Sequence, residues 1–492
     1  MRLKKFTKTA LTLCGAVFVS SMVNFAGASP SAPSSFAENT FEHQLDNGLK
    51  IIVRENHRAP VVTTMVWYKV GSVDEPRGLG GISHMLEHMM FKGTDTLGPN
   101  EHSTIIANLG GRDNAFTSYD YTAYFENLPS WELETALKLE ADRMQNLVLT
   151  EDDFTPERLV VANERRQRTD SSPQAKFFEA FNATVWNTSA YRNPIIGWMP
   201  EIEAWTLDDL KDWYARYYAP NNATLVVVGD VDAKQTFALA EHYFGAIPKS
   251  EGIVHPNEFE TEQLGEKRIH LNIPANMPLL LMAYKVPSIN TANDKNDVYA
   301  LLLASTILDG LDSSRITKRL VRQEQIALST GNYYSFDRRY DTTVLFSAVP
   351  TAGVSLSAIE AEIKAEIARL QTEKVSKAEL KRIINLYRAS EIYGQDSIYQ
   401  QAMMLGSTTT TGEGWQNREK LLDELEKVTP EMIQEVAQRY FIDQRLTVGL
   451  LEPKALPESE PESESDPAME SAIEPVTEST DTKESTDESQ GA

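Results

Sequence analysis

The sequence predicts an α+β fold built from two homologous α/β domains joined by a linker, because it repeats itself. One strand pattern recurs with the same ending: Val61–Val70 (VVTTMVWYKV) and Leu279–Val286 (LLLMAYKV) both run through apolar residues into Tyr-Lys-Val. A second repeat closes each half, TLDDLKDWYARYYAPNNATLVVVGD from Thr206 and TPEMIQEVAQRYFIDQRLTVGLLEP from Thr429. Each reads as a helix opened by Thr, an aromatic pair, a turn and a β-branched strand. Tyr68 and Tyr284 are 216 residues apart, and Thr206 and Thr429 are 223 apart. A unit of roughly 200–230 residues has therefore been duplicated with a small insertion. Long helical patterns such as Leu356–Leu370 and Lys377–Tyr393 fill the middle of the second half, and 492 residues are too many for one typical domain.

Residues 1–28 carry Arg2, Lys4, Lys5 and Lys8, then an apolar run from Thr9 to Ala26, then Ala26-Gly27-Ala28 before Ser29. Charge, apolar core and small-residue site predict a secretory signal cut after Ala28, with an uncleaved anchor as the alternative. That places the mature chain in the periplasm of a Gram-negative bacterium, or secreted, with no transmembrane segment after cleavage. Cys14 is the only cysteine, so the mature chain has no internal disulfide. Residues 29–39 are expected to be a flexible N-terminus, 40–245 the first domain and 266–455 the second. The linker, 246–265, starts within the glycine- and proline-containing stretch Phe244–Pro256 (FGAIPKSEGIVHP). Residues 456–492 hold 12 acidic residues and one lysine among Ser, Thr and Pro, a composition too polar to offset its ordering entropy, and are expected to be disordered. The formal charge is −24, and loss of the four basic residues at the start makes it −28, which argues against nucleic acid as a partner.

The residues with the most chemistry are His84-Met85-Leu86-Glu87-His88. Four residues apart on a helix, His84 and His88 present two imidazoles to one cation, and Glu87 reaches the same space. Two neutral nitrogens suit zinc, and a carboxylate beside them can take a proton from a water that the metal polarises. The pattern is the inverted H-x-x-E-H signature of zinc peptidases. A third ligand must come from elsewhere. Thr155–Arg168 (TPERLVVANERRQR) reads as a helix opened by Thr155 with Pro156 in its first turn, carrying Glu157 and Glu164 two turns apart on one face. In the second half Glu157 aligns with Glu379 but Glu164 aligns with Leu386, and Val298–Ser305 stands where H-x-x-E-H would be. Only the first half can hold a metal.

The run Gly80–Thr94 (GGISHMLEHMMFKGT) resembles, across its full width, a block of the pitrilysin or insulinase-like family of zinc metallopeptidases. The shorter branch, which includes mitochondrial processing peptidase and bacterial relatives, is the most similar. The likeness continues through Leu109-Gly110-Gly111, Asn114-Ala115-Phe116-Thr117, Asp120-Tyr121-Thr122, Tyr191-Arg192-Asn193-Pro194, Gly197 and Tyr217–Asn222, and covers about residues 40–452. The resemblance implies domains that are mostly antiparallel sheets packed against helices. It implies one Zn2+ per chain held by His84, His88 and Glu164, with Glu87 as general base and Glu157 as an acid beside the metal. Asn114 and Ala115 would lie on an edge strand to which a peptide substrate is added as a further strand.

The same resemblance implies an arginine and a tyrosine, seven residues apart in the metal-free domain, that contact substrate and the oxyanion. Arg322 is present, but the tyrosine position holds Ser329, and Tyr333 and Tyr334 are out of register with it. Losing one oxyanion donor costs about 3 kcal/mol, so either catalysis is weak or the donor comes from another chain. Larger relatives enclose four such domains, so a chain of two is expected to pair. The expected partner is a homologous non-metal subunit in a heterodimer, with a homodimer as the alternative. The activity implied is a zinc-dependent endopeptidase for short or unfolded peptides. The competing reading is a catalytically weak or inactive peptide-binding or assembly subunit.

Overall fold

A computed structural model describes residues 36–256 and 259–454; the expected signal and acidic tail lie outside these residues. Among the described residues eleven strands form two sheets: β1 (Thr40–Gln44), β2 (Lys50–Glu55), β3 (Val61–Tyr68), β4 (Arg112–Thr117), β5 (Thr122–Pro129) and β6 (Ala223–Gly229) in the first, β7 (Lys267–Pro274), β8 (Leu279–Val286), β9 (Ala327–Tyr334), β10 (Thr342–Pro350) and β11 (Leu446–Lys454) in the second. The orders are β1-β2-β6-β3-β5-β4 and β7-β11-β8-β10-β9. Apart from the extra β1 the two orders are the same, and each sheet has one parallel pair in the same place, β2–β6 and β7–β11. The fold is α+β, and the duplication read from the sequence is a duplication of topology.

The closing repeats fold as their sequence suggests. Thr206 and Thr429 cap the helices Leu207–Tyr217 and Pro430–Tyr440 by accepting the N–H groups of Asp209 and Met432. Each helix then runs through a short turn into the parallel strand of its sheet. Two local expectations change. Phe36–Asn39 form a 3-10 turn with Phe36 buried under the Arg54 guanidinium, so these four residues of the stretch expected to be flexible are packed against the first domain. The helix carrying Glu157 and Glu164 is Glu151–Arg165, capped by Thr150 and not by Thr155. The Thr150 hydroxyl accepts from the Asp153 N–H, and Glu151, Asp152 and Asp153 favour the positive end of the helix dipole.

Each domain lends one helix to the other. Helix Ile398–Thr411 of the second domain covers β3 and β6, packing Ala402 and Leu405 onto Met65, Trp67, Val226 and Val228. Helix Pro173–Val185 of the first domain covers β7, β11 and β8, packing Phe177, Phe181 and Val185 onto Leu281, Ala283 and Leu451. Gly406 is required by this exchange, because a Cβ there would lie 2.0 Å from the Trp67 indole. A buried ionic seam adds to the union. Arg339, from the turn between β9 and β10, bonds Asp74 at 2.8 and 3.0 Å, and Arg338 bonds Asp120 at 3.1 Å. Among the described residues no helix is long and apolar enough to cross a membrane.

Candidate metal centre

His84, Glu87 and His88 lie on the helix Ile82–Met89. Its N-terminus is set by two constraints. Gly81 has φ +87, and a Cβ there would meet the Ile196 carbonyl at 2.3 Å. The Glu75 carboxylate accepts the N–H groups of Gly81 (2.6 Å) and Ser83 (2.9 Å), placing an acceptor at the helix's positive end. Burial pushes the Glu75 carboxyl up to about 7. Sequence reasoning missed Glu75, since it precedes the helix by several residues and fits no capping-box spacing.

Glu164 comes from the neighbouring helix. Its Oε2 lies 3.4 Å from His88 Nε2 and 3.9 Å from His84 Nε2, and the ligand atoms of the three residues all lie within 4.8 Å of one another. Tetrahedral zinc with bonds near 2.05 Å places its ligand atoms about 3.3 Å apart, so the donor set fits zinc with small adjustments. The tautomers fit as well. The His88 Nδ1–Glu157 Oε1 contact of 2.8 Å leaves Nε2 free to act as a ligand, and Lys92 pairs with the other Glu157 oxygen. Burial, followed by the charges of His88 and Arg168, lowers His84 to about 3 and keeps it neutral. Burial also works against a charged His88, but the hydrogen bond and charge of Glu157 outweigh it and raise its pKa.

Glu87 points into the same space, where its Oε2 accepts the Thr117 hydroxyl from β4. Burial raises its pKa against that hydrogen bond. Asn114 and Ala115 also lie on β4, the unpaired edge of the first sheet, and the Ala115 N–H is held by Asn114's own Oδ1 at 2.9 Å. These residues line a cavity of about 890 Å³ with the metal helix on one side and Ala283, Thr343 and Leu345 of the second sheet on another.

Arg322 is not part of this cavity. It is exposed, pairs with Asp312, and lines a separate depression on the second domain with Arg315 and Glu379. Within this chain the predicted contact with the reaction centre is not made. Ser329 and Tyr333 alternate on one face of β9, opposite Val349 and Leu345 of β10. The tyrosine out of register by count therefore shares a sheet face with Ser329 and is 61% exposed. In the second domain Glu379 is engaged by Arg315 at 2.8 and 3.0 Å, and the helix Lys295–Leu308 is largely buried.

His102, Glu126 and Glu140 form another cluster with cation-binding spacing, but it is fully buried and already holds the Arg143 guanidinium. Burial pushes Glu140 up to about 8. A buried cation and a partly neutral carboxyl leave that cluster little affinity for a metal.

The comparisons with known proteins agree with this geometry. The insulinase (peptidase family M16) model matches residues 50–198, and the model of the peptidase M16 inactive domain matches residues 204–387. The second match begins before β6, a central strand of the first sheet, so it crosses the structural boundary between the domains. A Helicobacter pylori protein called zinc protease PqqE is 34% identical over 364 residues, 71% of this chain and 81% of that one. The crystal structure of a protease from Helicobacter pylori superimposes with a TM-score of 0.79 and 31% identity, over 84% of this chain and 99% of that one. The periplasmic protease PqqL from Escherichia coli shares the fold, with a TM-score of 0.71 and 20% identity over 86% of this chain and 49% of that one. Two histidines and a glutamate converging from two helices beside Glu87, in a duplicated fold that these relatives share, identify the chain as a member of the insulinase family of peptidases, M16.

Proposed function

We propose that this chain is a zinc-dependent endopeptidase acting on short or unfolded peptides, as the zinc subunit of a two-chain enzyme in the periplasm. The observation that carries the reading is the convergence of His84, His88 and Glu164 beside Glu87, under the free edge of β4. Zinc held by His84, His88 and Glu164 would supply an acidified water and a Lewis acid for the peptide carbonyl.

The chain's own residues do the rest. The β4 edge binds an extended peptide by backbone hydrogen bonds, with the Asn114 side chain giving up the Ala115 N–H. An Oε atom of Glu87 takes the proton from the attacking water and returns it to the leaving amine. Thr117 keeps that carboxylate turned toward the metal side of the cavity. Glu157 and Lys92 hold His88 in the tautomer a metal requires.

Two observations support a second chain. Arg322 lies outside the metal cavity of its own chain, and Ser329 cannot supply a phenol. A homologous subunit would bring these groups to the cleft; a homodimer is the simpler variant. The apolar opening segment and the periplasmic PqqL support the compartment.

Hydrolysis of mixed unstructured peptides, with zinc content measured alongside, tests the reading. Glu87→Gln is expected to retain zinc and lose at least about 100-fold in kcat/KM. Activity that appears only when a homologous subunit is added would establish the two-chain enzyme, and strong activity alone would point to a homodimer. Bound zinc without hydrolysis in any combination would favour a peptide-binding subunit that has kept the fold.

A further inference from the structure

The cavity around the metal centre has a charge pattern that peptide hydrolysis does not account for. Glu87, Glu164, Glu179, Arg168 and Arg192 line it. Glu87 and Glu164 are committed to the metal and the reacting water. Glu179 is held by the buried Arg165 at 2.8 and 2.9 Å, a guanidinium that also faces the partly exposed Asp170 at 3.8 Å outside the cavity lining, and Glu157, behind His88, is matched by Lys92. The two remaining guanidinium groups are less engaged. Arg192 is exposed and forms no ion pair among the described residues; its guanidinium donates to the Asn187 carbonyl at 3.2 Å. Arg168 gives one nitrogen to Glu164 Oε1 at 2.7 Å, and its side chain is 77% exposed.

With a divalent cation in place, its two charges would balance Glu87 and Glu164, and the two arginines of the lining outnumber the one further carboxylate nearby, Asp170, which lies outside the lining. The cleft is therefore cationic on a chain whose formal charge is −24. Apolar neighbours including Phe178, Ile195, Ile196 and Leu345 lower the local dielectric and focus that field.

We infer that the cleft selects peptides with an acidic side chain close to the scissile bond, and that Arg168 and Arg192 determine this preference. The inference rests on the peptidase reading above. A guanidinium binds a carboxylate through a rigid fork of N–H donors, which suits a substrate side chain that must be held while the backbone lies on β4. A lysine in the same place would meet two like charges and a metal ion. Arg168 is attached to a metal ligand, so it acts close to the bond to be cut. Arg192, on the 3-10 turn Ala190–Arg192, acts from another part of the wall.

The test is a set of peptides identical except for Glu, Gln or Lys at each position in turn around one cleavage site, assayed with the zinc-loaded full chain, supplemented by its partner subunit if activity requires one. Binding of the same peptides to the Glu87→Gln variant gives a readout independent of turnover. Glu is expected over Lys by roughly fivefold for each arginine engaged, in both kcat/KM and affinity, with the gap shrinking at high salt. Arg192→Glu should reverse the preference at one position. Arg168→Gln should weaken it at another, with zinc content measured to separate this from ligand loss. Equal handling of Glu and Lys at every position, or a preference unchanged in both variants, would overturn the inference while leaving the peptidase intact. Failure of the wild type to cleave any peptide would count against the peptidase reading alone, because affinity for Glu and Lys peptides would still decide the charge preference.

Discussion

At the scale of single residues, the site depends on side chains that touch no metal. Glu157 fixes the tautomer and orientation of His88, and Lys92 keeps Glu157 in place. Glu157→Gln is expected to weaken zinc binding by about 10- to 100-fold, measured by competition with a chromophoric chelator. Unchanged affinity would mean that His88 is oriented by packing alone. His84, Glu87 and His88 were legible from spacing, because helical periodicity converts an interval of three or four residues into shared space. Glu75, Thr117, Lys92 and Arg168 were not assigned. Glu75, Thr117 and Lys92 meet their partners through chain reversals that no local pattern encodes, and Arg168 resembles an ordinary i,i+4 ion pair.

At the scale of elements, the two exchanged helices decide which surfaces are core. The face of β3 carrying Met65 and Trp67 would be solvent-facing in an isolated first domain; it is buried because Ile398–Thr411 lies across it. Gly406→Val should force that helix away from Trp67, a case of overpacking expected to cost about 1–3 kcal/mol or more, read as a fall in the denaturation midpoint. A midpoint equal to that of the wild type would show that the helix can shift without loss. The strands and the capped helices of the closing repeats were legible because each shows its own periodicity and end signals. The exchange was not, since an amphipathic helix states that one face is buried and not which sheet buries it. The helix at Glu151 was read as starting later because Pro156 suggested a first turn, while the capping Thr150 and its acidic residues lie farther upstream.

At the scale of the whole molecule, the exchange and the ionic seam make the two domains one stability unit. Calorimetry should show one transition for residues 36–454 rather than two, and well-separated transitions would contradict this. Asp74 gives the seam a pH signature. Burial works against its charge, but the hydrogen bond with His255 and the charge of Arg339 outweigh burial and lower its pKa below the usual 3.8. A carboxylate with a lowered folded pKa contributes stability that is fully present above the unfolded value and is lost as the pH falls through the folded one. Asp74→Asn, which leaves Arg339 buried and unpaired, should cost about 3–5 kcal/mol near neutral pH. The gap from wild type should stay level down to about pH 4 and close below it. A gap that does not depend on pH would mean that folding leaves the Asp74 pKa at its unfolded value, and a gap that narrows as the pH rises above about 4 would mean that the folded chain holds Asp74 neutral.

The sequence by itself determined the duplicated α+β fold, the helix carrying His84, Glu87 and His88, the acid pair on a later helix, and the lack of a matching H-x-x-E-H pattern in the second half. These follow from periodicity, capping and internal repetition, which can be read along the chain without knowing which elements touch. Tertiary structure alone decided which helix covers which sheet, how Glu75 and Thr117 hold the metal helix and its base, and where Arg322 lies relative to the cleft. It also decided the charge of the cavity, because neutralisation of Glu179 by Arg165 and of Glu157 by Lys92 depends on packing between elements. Composition reports only the total charge, whereas the cleft's sign depends on which charges are paired.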